Sequence, residues 1–187
     1  MTSKTLFSCA TSLDGFMAGP GGDMQWLRRH FGPHPVADGV AEQTGSLLVG
    51  RRTFGGDDPN RGTDDEGAFS GRWHGPQFVL THEPPPYDVP GVTFVTDLQT
   101  GVAAAREAAA GRYVNVLGAE VARQCLAAGL LDEILVFVTP VLLGDGTRIF
   151  DWPGGHSVDL VKREVVDAPT GTSMWYDVQP PRRVGGE

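Results

Sequence analysis

The sequence is short of cysteine, of long apolar runs and of lysine, and each shortage excludes a class of protein. Its 187 residues contain two cysteines, Cys9 and Cys125, too few for a disulfide scaffold, so both are predicted to be buried thiols. The longest clean apolar run in the C-terminal half, residues 134–138, is far too short to cross a bilayer. Polar residues from position 8 onward interrupt any signal-peptide core. We therefore expect a cytoplasmic protein with no membrane partner.

The charge balance argues against a nucleic-acid partner. The formal net charge is −8, from 23 acidic and 15 basic side chains, whereas nucleic-acid-binding proteins are usually basic. Lys4 and Lys162 are the two lysines, so arginine carries the remaining positive charge. Arginine stays ionised and can grip a phosphate with its planar fork. The composition favours an acidic soluble enzyme.

Several motifs of known chemistry are also missing. No G-x-G-x-x-G follows a strand, because Ile149 stands where a third glycine would follow Gly144 and Gly146. There is no P-loop lysine motif, no H-E-x-x-H and no G-x-S-x-G. The histidines, at positions 30, 34, 74, 82 and 156, share no metal-ligand spacing. We expect no metal site.

Hydrophobic periodicity predicts one α/β domain over residues 1–187. Predicted strands cover residues 5–11, 46–50, 77–82, 92–96, 113–117 and 134–138, with an antiparallel pair at 158–166 and 172–178. Predicted helices cover residues 26–31, 36–44, 98–110 and 119–128. Alternation of strands and helices implies a largely parallel sheet covered on both faces. Residues 55–71, rich in Gly, Asp and Asn without periodicity, are predicted to form a mobile flap.

Three predicted strands end in residues suited to bind a ligand. The segments are Gly50-Arg51-Arg52-Thr53, Thr81-His82 and Leu117-Gly118-Ala119-Glu120-Val121. A glycine lets the backbone approach a ligand, and a helix start offers free N–H groups to an anion. A solvated arginine pair or a tight strand-to-helix turn would explain each segment equally well. Together, however, the carboxyl ends of parallel strands face one crevice, which favours a ligand site there.

The order of short motifs resembles a known family over roughly residues 5–152. The motifs are Thr11-Ser12-Leu13-Asp14-Gly15-Phe16-Met17-Ala18, Trp26-Leu27, Gly50-Arg51-Arg52-Thr53-Phe54, Val79-Leu80-Thr81-His82, Gly118-Ala119-Glu120, Leu130-Leu131-Asp132-Glu133 and Pro140-Val141-Leu142-Leu143-Gly144-Asp145-Gly146. The chain resembles the bacterial dihydrofolate-reductase-like proteins related to the reductase domain of the bifunctional riboflavin-biosynthesis deaminase-reductase. The resemblance implies a three-layer α/β/α sandwich around a mixed, mostly parallel sheet, NADPH as hydride donor, and a homodimer.

The same resemblance assigns roles to individual residues. NADPH would be bound by Ala10, Met17, Ala18, Gly50, Arg51, Arg52, Thr53, Thr81, His82, Leu117, Gly118, Ala119, Glu120 and Val121. Within this set, residues 50–53 would face the phosphates, residues 81–82 the adenosine ribose with its 2′-phosphate, and residues 117–121 the pyrophosphate. The substrate pocket would be formed by Asp14, Trp26 and Thr139, with Asp14 also bordering the nicotinamide.

Two departures from the family pattern bear on the substrate. The family often has Gly-Gly where this chain has Gly118-Ala119, and the added methyl crowds the phosphate approach. Dihydrofolate reductases carry a carboxylate about one turn beyond the tryptophan, but Arg28-Arg29-His30-Phe31 stands there, so dihydrofolate is disfavoured. We expect an NADPH-dependent reductase of a small heterocycle, pterin-like or ribosylaminopyrimidine-like. The sequence identifies no general acid; the candidates are a bound water, and Asp14 if it lies near the nicotinamide.

Two rival functions stay open at this stage. The first is a non-catalytic protein that binds a nucleotide or small ligand on the same fold, and the second is a structural dimer module. The apolar stretch 140–143 is the predicted dimer contact.

Overall fold

Ten strands and four α-helices follow the apolar periodicity in the part of the chain that the structure, a computed structural model, describes: residues 2–155 and 157–179. The strands are β1 (Thr5–Ser12), β2 (Phe16–Ala18), β3 (Thr44–Gly50), β4 (Gln77–Leu80), β5 (Val92–Val95), β6 (Tyr113–Leu117), β7 (Glu133–Thr139), β8 (Thr147–Arg148), β9 (Leu160–Ala168) and β10 (Gly171–Val178). The helices are α1 (Pro35–Gln43), α2 (Arg51–Phe54), α3 (Leu98–Ala109) and α4 (Ala119–Ala127). A 3-10 helix, Gln25–His30, occupies most of the first predicted helix.

Eight strands form one mixed sheet in the order β5-β4-β3-β6-β1-β7-β10-β9. The first six run parallel, and β10 pairs antiparallel with both β7 and β9. The predicted mixed, mostly parallel sheet and its closing antiparallel pair are confirmed. The short strands β2 and β8 pair separately, beside the end of β1.

Neighbouring residues of each central strand point to opposite faces, which builds three layers. Phe7 and Leu48 lie on the face covered by α3 and α4, whereas Leu6 and Leu47 lie on the face covered by α1 and α2. Side chains at these four positions are essentially inaccessible to solvent. The α/β/α sandwich expected from the sequence is confirmed.

Helix α3 shows why the predicted boundaries were close. Asp97 caps it by accepting the N–H of Thr100 at 2.8 Å, and Ala110 ends it in a left-handed conformation just before Gly111. The predicted strand 77–82 is two residues shorter in the structure, because the Thr81 hydroxyl closes a turn by accepting the N–H of Glu83.

The segment 55–71 forms neither helix nor strand, as predicted, but it is anchored. Asp58 accepts the N–H of Asn60 at 2.8 Å and that of Gly67 at 2.7 Å. Phe69 packs against the buried clusters on the α1 face of the sheet. The flap prediction therefore needs correction at the C-terminal part of the segment, which contributes to the core.

The two thiols are placed much as the sequence predicts. Cys125 is buried in α4 and Cys9 is partly buried in β1, and burial raises the pKa of each thiol to about 12. Neither is therefore a thiolate at neutral pH. Within the described residues, no helix is both long and apolar enough to cross a membrane.

Candidate functional site

The predicted ligand residues gather at the edge where the parallel strands end. The connection from β3 to β4 passes over the α1 face, whereas the connection from β6 to β7 carries α4 on the opposite face. Adjacent strands whose connections leave on opposite faces open a crevice at their carboxyl ends. Gly50, the last residue of β3, lies on one side of this crevice. Leu117 and Gly118, at the end of β6, lie on the other side.

The two glycine turns of the crevice lie in contact. Gly118 has φ +105°, and a Cβ there would lie 2.5 Å from Thr53 Oγ1 and 3.9 Å from the nitrogen of Gly50. A Cβ on Gly50 would lie 3.0 Å from Val121 Cγ2. A side chain at position 118 would collide with Thr53. The structure thus joins two sequence segments, 50–53 and 117–121, that were singled out separately.

Near the start of α4, the acidic side chain of Glu120 is bound by two side chains of the same helix. Glu120 accepts hydrogen bonds from Arg123 at 2.6 and 3.0 Å and from Gln124 at 2.9 Å, and these bonds, mainly that from Arg123, lower its pKa. The positive charge of Arg52 adds to this lowering. Arg51 and Arg52 are exposed and form no ion pair within the described chain, so both guanidinium groups are free to meet an anion.

The end of β4 supplies the third predicted segment. Thr81 is buried, and its N–H donates to the carbonyl oxygen of Val95 at 2.9 Å. His82 is exposed at the same edge. Because β3 and β4 are neighbours in the sheet, His82 and the arginines of α2 follow adjacent strands.

Asp14 fastens two distant segments at the end of β1. Its carboxylate accepts the N–H groups of Leu143 at 3.1 Å and Gly144 at 2.8 Å, and the hydroxyl of Ser12 donates to it at 2.6 Å. The Ser12 bond first, and then the two backbone bonds, lower the pKa of Asp14 to about 2. The carboxyl group is ionised at neutral pH. This ionised state argues against Asp14 as the proton donor and leaves water as the other candidate.

The segment around Asp14 is closed by a small sheet and a cation. The pairing of β2 with β8 holds Met17 and Ala18, and the Arg148 guanidinium lies 4.3 Å from the centre of the Phe16 ring. Ala10 lies within β1 itself, where it pairs with Phe137 of the neighbouring strand β7. The predicted nicotinamide-side residues thus lie at or near the end of β1.

The 3-10 helix Gln25–His30 runs across the mouth of this edge. Its start is tied to Asp57, which accepts the N–H of Met24 at 3.0 Å and the Gln25 amide at 2.9 Å. Beyond its end, Gly32 lies against Thr170 in the β9–β10 turn. Trp26 lies on this helix, and Thr139 is buried at the end of β7.

Two side chains near this helix carry buried polar atoms without partners. The indole N–H of Trp26 and both ring nitrogens of His34 have no hydrogen-bond partner within the described chain. The His34 ring packs edge-on against Phe137, with ring centres 5.0 Å apart. Unpaired buried polar atoms cost free energy, about 1–3 kcal/mol each, and so mark candidate ligand contacts. Apart from its failure to match a metal spacing, nothing in the sequence pattern pointed to His34.

Two cavities elsewhere in the described part of the chain are lined by none of the predicted residues. A cavity of about 720 Å³ at the amino ends of the strands is lined by Ser3, Arg106 and Arg112, among others. A second, of about 310 Å³, lies between Phe150 and Leu160. We take the carboxyl edge of the sheet as the candidate site, because the two glycine turns and the exposed Arg51 and Arg52 lie there. Among the described residues, which omit His156, no group of side chains is arranged to hold a metal ion.

Comparison with known proteins identifies related sequences and folds. The family described as the RibD C-terminal domain matches residues 4–173. No curated protein gives a significant sequence match. A protein assigned to riboflavin biosynthesis from Shewanella sp. PV-4 is 23% identical with a TM-score of 0.72, over 96% of this chain and 100% of that protein.

Two further solved structures share the fold at lower identity. The deaminase/5-amino-6-(5-phosphoribosylamino)uracil reductase of Thermotoga maritima is 16% identical, with a TM-score of 0.63, over 95% of this chain. This chain spans 57% of that bifunctional protein. Dihydrofolate reductase from Enterococcus faecalis, solved with NADP(H), is 17% identical with a TM-score of 0.61, over 96% of this chain and all of that protein. The fold is thus that of dihydrofolate-reductase-like proteins.

Proposed function

This chain belongs to the RibD C-terminal domain family, and from that premise we propose that it is an NADPH-dependent reductase of a small heterocycle. Its family and fold are those of oxidoreductases, and riboflavin-pathway reductases are among its structural neighbours. The observation that carries the proposal is the contact between the two glycine turns, Gly50 and Gly118, at the switch point of the sheet. That contact lies at the carboxyl ends of two adjacent parallel strands whose connections leave on opposite faces, which is the position at which such sheets bind nucleotides.

The residues present fit a dinucleotide phosphate in charge and in shape. Gly118 has no room for a Cβ beside Thr53, so α4 begins on bare backbone, and its first turn offers free N–H groups to an anion. Arg51 and Arg52 would supply charged donors, and His82 follows the adjacent strand. Because the whole protein is acidic, these local donors must overcome a field of the wrong sign.

NADPH, when bound, supplies the hydride, so the protein's task is to orient cofactor and substrate. The hydrogen bonds of Asp14 would fix the end of β1 beside the nicotinamide. Its ionised carboxylate would have no proton to donate. Trp26 and Thr139 would border the substrate. The unpaired indole N–H of Trp26 would donate a hydrogen bond to an acceptor atom on the heterocyclic ring of the substrate. The proton for the reduced heterocycle would then come from water.

The basic end of the 3-10 helix favours a ribosylaminopyrimidine over a pterin. Arg28 and Arg29 have no ion-pair partner within the described chain and stand where a dihydrofolate reductase has its carboxylate. Burial first, and then the charge of Arg29, lower the pKa of His30, so the two arginines carry the positive charge there. This charge suits a phosphorylated substrate, such as the one in the name of the Thermotoga relative.

Cofactor binding is tested by titrating NADPH and NADH against Arg51→Ala and Arg52→Ala variants. A charged hydrogen bond contributes about 1.5–3 kcal/mol, which is about a tenfold to hundredfold change in Kd. A loss confined to NADPH would place that arginine at the 2′-phosphate, whereas equal losses would place it at the pyrophosphate. Arg112→Ala, an exposed arginine at the other end of the sheet, is the control. Wild-type affinity in both variants would contradict the proposed site.

Turnover separates the reductase from its rival, a non-catalytic ligand-binding protein. We expect NADPH oxidation with 5-amino-6-(5-phosphoribosylamino)uracil and little with dihydrofolate. Binding of NADPH without oxidation across a panel of pyrimidines, pterins and flavins would favour the rival.

A further inference from the structure

His34 is a buried side chain whose polar atoms the fold leaves unused. The residue is 5% exposed, and neither ring nitrogen has a hydrogen-bond partner within the described chain. Its backbone, in contrast, is used, since the carbonyl oxygen accepts the N–H of Ala37 at 3.0 Å where α1 begins. The imidazole does not cap that helix. An apolar ring of the same shape would therefore serve the fold at least as well.

The imidazole lies against the α1 face of the sheet, over β7. It packs edge-on against Phe137, with ring centres 5.0 Å apart. Phe137 pairs with Ala10 of β1 on one side and with Ser173 of β10 on the other, so both residues share its face. The hydroxyl of Ser173 donates to the carbonyl oxygen of Val166. The sheet below His34 thus offers its ring nitrogens no partner among the described residues.

The sheet next to His34 is open, although β1 is one of its central strands. β1 is fifth in the order of eight strands, yet its middle residues, Ser8, Cys9 and Ala10, are each partly exposed. Side chains alternate along a strand, so Ser8 and Ala10 point to the same face as Leu6, which is the α1 face. An uncovered patch in the middle of a sheet leaves space for a ligand.

We infer that His34 is a substrate-binding residue of the proposed reductase, and that its imidazole hydrogen-bonds the polar edge of a heterocycle held above Ala10. This rests on the proposed function, which places the nicotinamide end of the cofactor by the end of β1. A neutral imidazole offers one donor and one acceptor. It therefore suits a ring whose edge carries carbonyl oxygens and N–H groups, as a uracil does. Such a substrate satisfies a nitrogen that is otherwise unpaired, which adds to its binding.

The variant His34→Phe separates this role from a structural one, because phenylalanine keeps a flat ring against Phe137 but has no polar atom. We expect its KM for 5-amino-6-(5-phosphoribosylamino)uracil to rise about tenfold with kcat little changed, as the loss of a neutral hydrogen bond to bound substrate predicts. The Kd for NADPH should stay at the wild-type value, because β6, which leads to Gly118, is two strands from β7. The melting temperature should not fall, because two unpaired buried nitrogens are removed.

Two further variants complete the experiment. His34→Gln brings back one donor and one acceptor group, and it should return KM to within about threefold of wild type. His74→Phe makes the same substitution at an exposed histidine that precedes β4, at the amino end of the strand. This control should leave KM and the Kd for NADPH unchanged.

Three outcomes would overturn the inference, and they are distinguishable. An unchanged KM in an active His34→Phe variant would leave the proposed reductase standing but give His34 no part in it. A lower melting temperature together with weaker NADPH binding would make His34 a structural residue. A wild type that binds NADPH but reduces no heterocycle would contradict the proposed function itself, and this inference with it.

Discussion

Asp14 stabilises the fold through three hydrogen bonds that its ionised carboxylate accepts. Its pKa of about 2 lies below the ordinary value of 3.8, so its stabilising contribution is complete above about pH 4 and is lost as the pH falls towards 2. Asp14→Asn should therefore lower the free energy of unfolding at neutral pH, and the gap to wild type should narrow in acid. Urea unfolding at about pH 7 and about pH 2.5 measures both differences.

Asp145→Asn is the matched control for that experiment. Asp145 lies in the same loop, but within the described residues its side chain accepts one hydrogen bond, from the N–H of the next residue, Gly146. A pH-independent gap for Asp14→Asn, or an equal loss for both variants, would show that the Asp14 contacts do not depend on its charge.

Alanine variants at Gly118 and Gly129 distinguish the effect of backbone strain from the effect of a side chain placed beside the crevice. Both have positive φ, but a Cβ at position 129 meets nothing within 4 Å, whereas one at position 118 meets Thr53. Alanine in either place should destabilise the fold by at least about 1 kcal/mol. Only Gly118→Ala should also weaken NADPH binding, measured by calorimetry. Equal affinities in the two variants would contradict a crevice lined by Gly118.

At the scale of elements, periodicity was enough to predict the eight strands of the central sheet and helices α1, α3 and α4, but not α2 or the short strands β2 and β8. The formation of strands and helices depends on apolar side chains spaced a few residues apart. This spacing can be read directly from the sequence. The contact of Thr53 with Gly118 and the bonds of Asp14 to residues 143–144 join segments far apart in the chain, so no local pattern reveals them. Two motifs of the family resemblance thus have roles that only the fold shows.

The Leu130–Glu133 motif is a case where resemblance marked structure and not ligand binding. Asp132 accepts the N–H of Thr5 at 2.7 Å and pairs with Arg106 at 2.8 Å, at the amino ends of the strands. The next residue, Glu133, is fully buried, and four side chains donate to its carboxylate: Lys4, Tyr113, Arg163 and Trp175. The motif holds five strands together at the edge opposite the crevice.

Glu133→Gln should therefore reduce stability sharply. Gln keeps the volume but replaces an acceptor oxygen with a donor, which faces the cations and leaves them unpaired. Breaking a buried ion pair costs about 3–5 kcal/mol, and because Lys4 and Arg163 are partly exposed we expect about 3 kcal/mol. Guanidinium unfolding measures this loss against Glu42→Gln, an exposed acid on α1. A loss below about 1 kcal/mol would mean that the network contributes little net stability.

In the whole molecule, the buried Glu133 network and the proposed cofactor site lie at opposite edges of one sheet. A ligand that binds only the folded state stabilises it by about 2.7 kcal/mol at a hundredfold excess over Kd, or roughly 5–10 °C in Tm for a chain of this size. NADPH at a hundredfold excess over the wild-type Kd should therefore raise the Tm of the wild type and of Glu133→Gln by similar increments, although the variant melts lower. At that same concentration Gly118→Ala should show a clearly smaller increment. An increment that falls with Glu133→Gln as well would mean that the two edges are coupled, and that the buried carboxylate network also shapes the crevice.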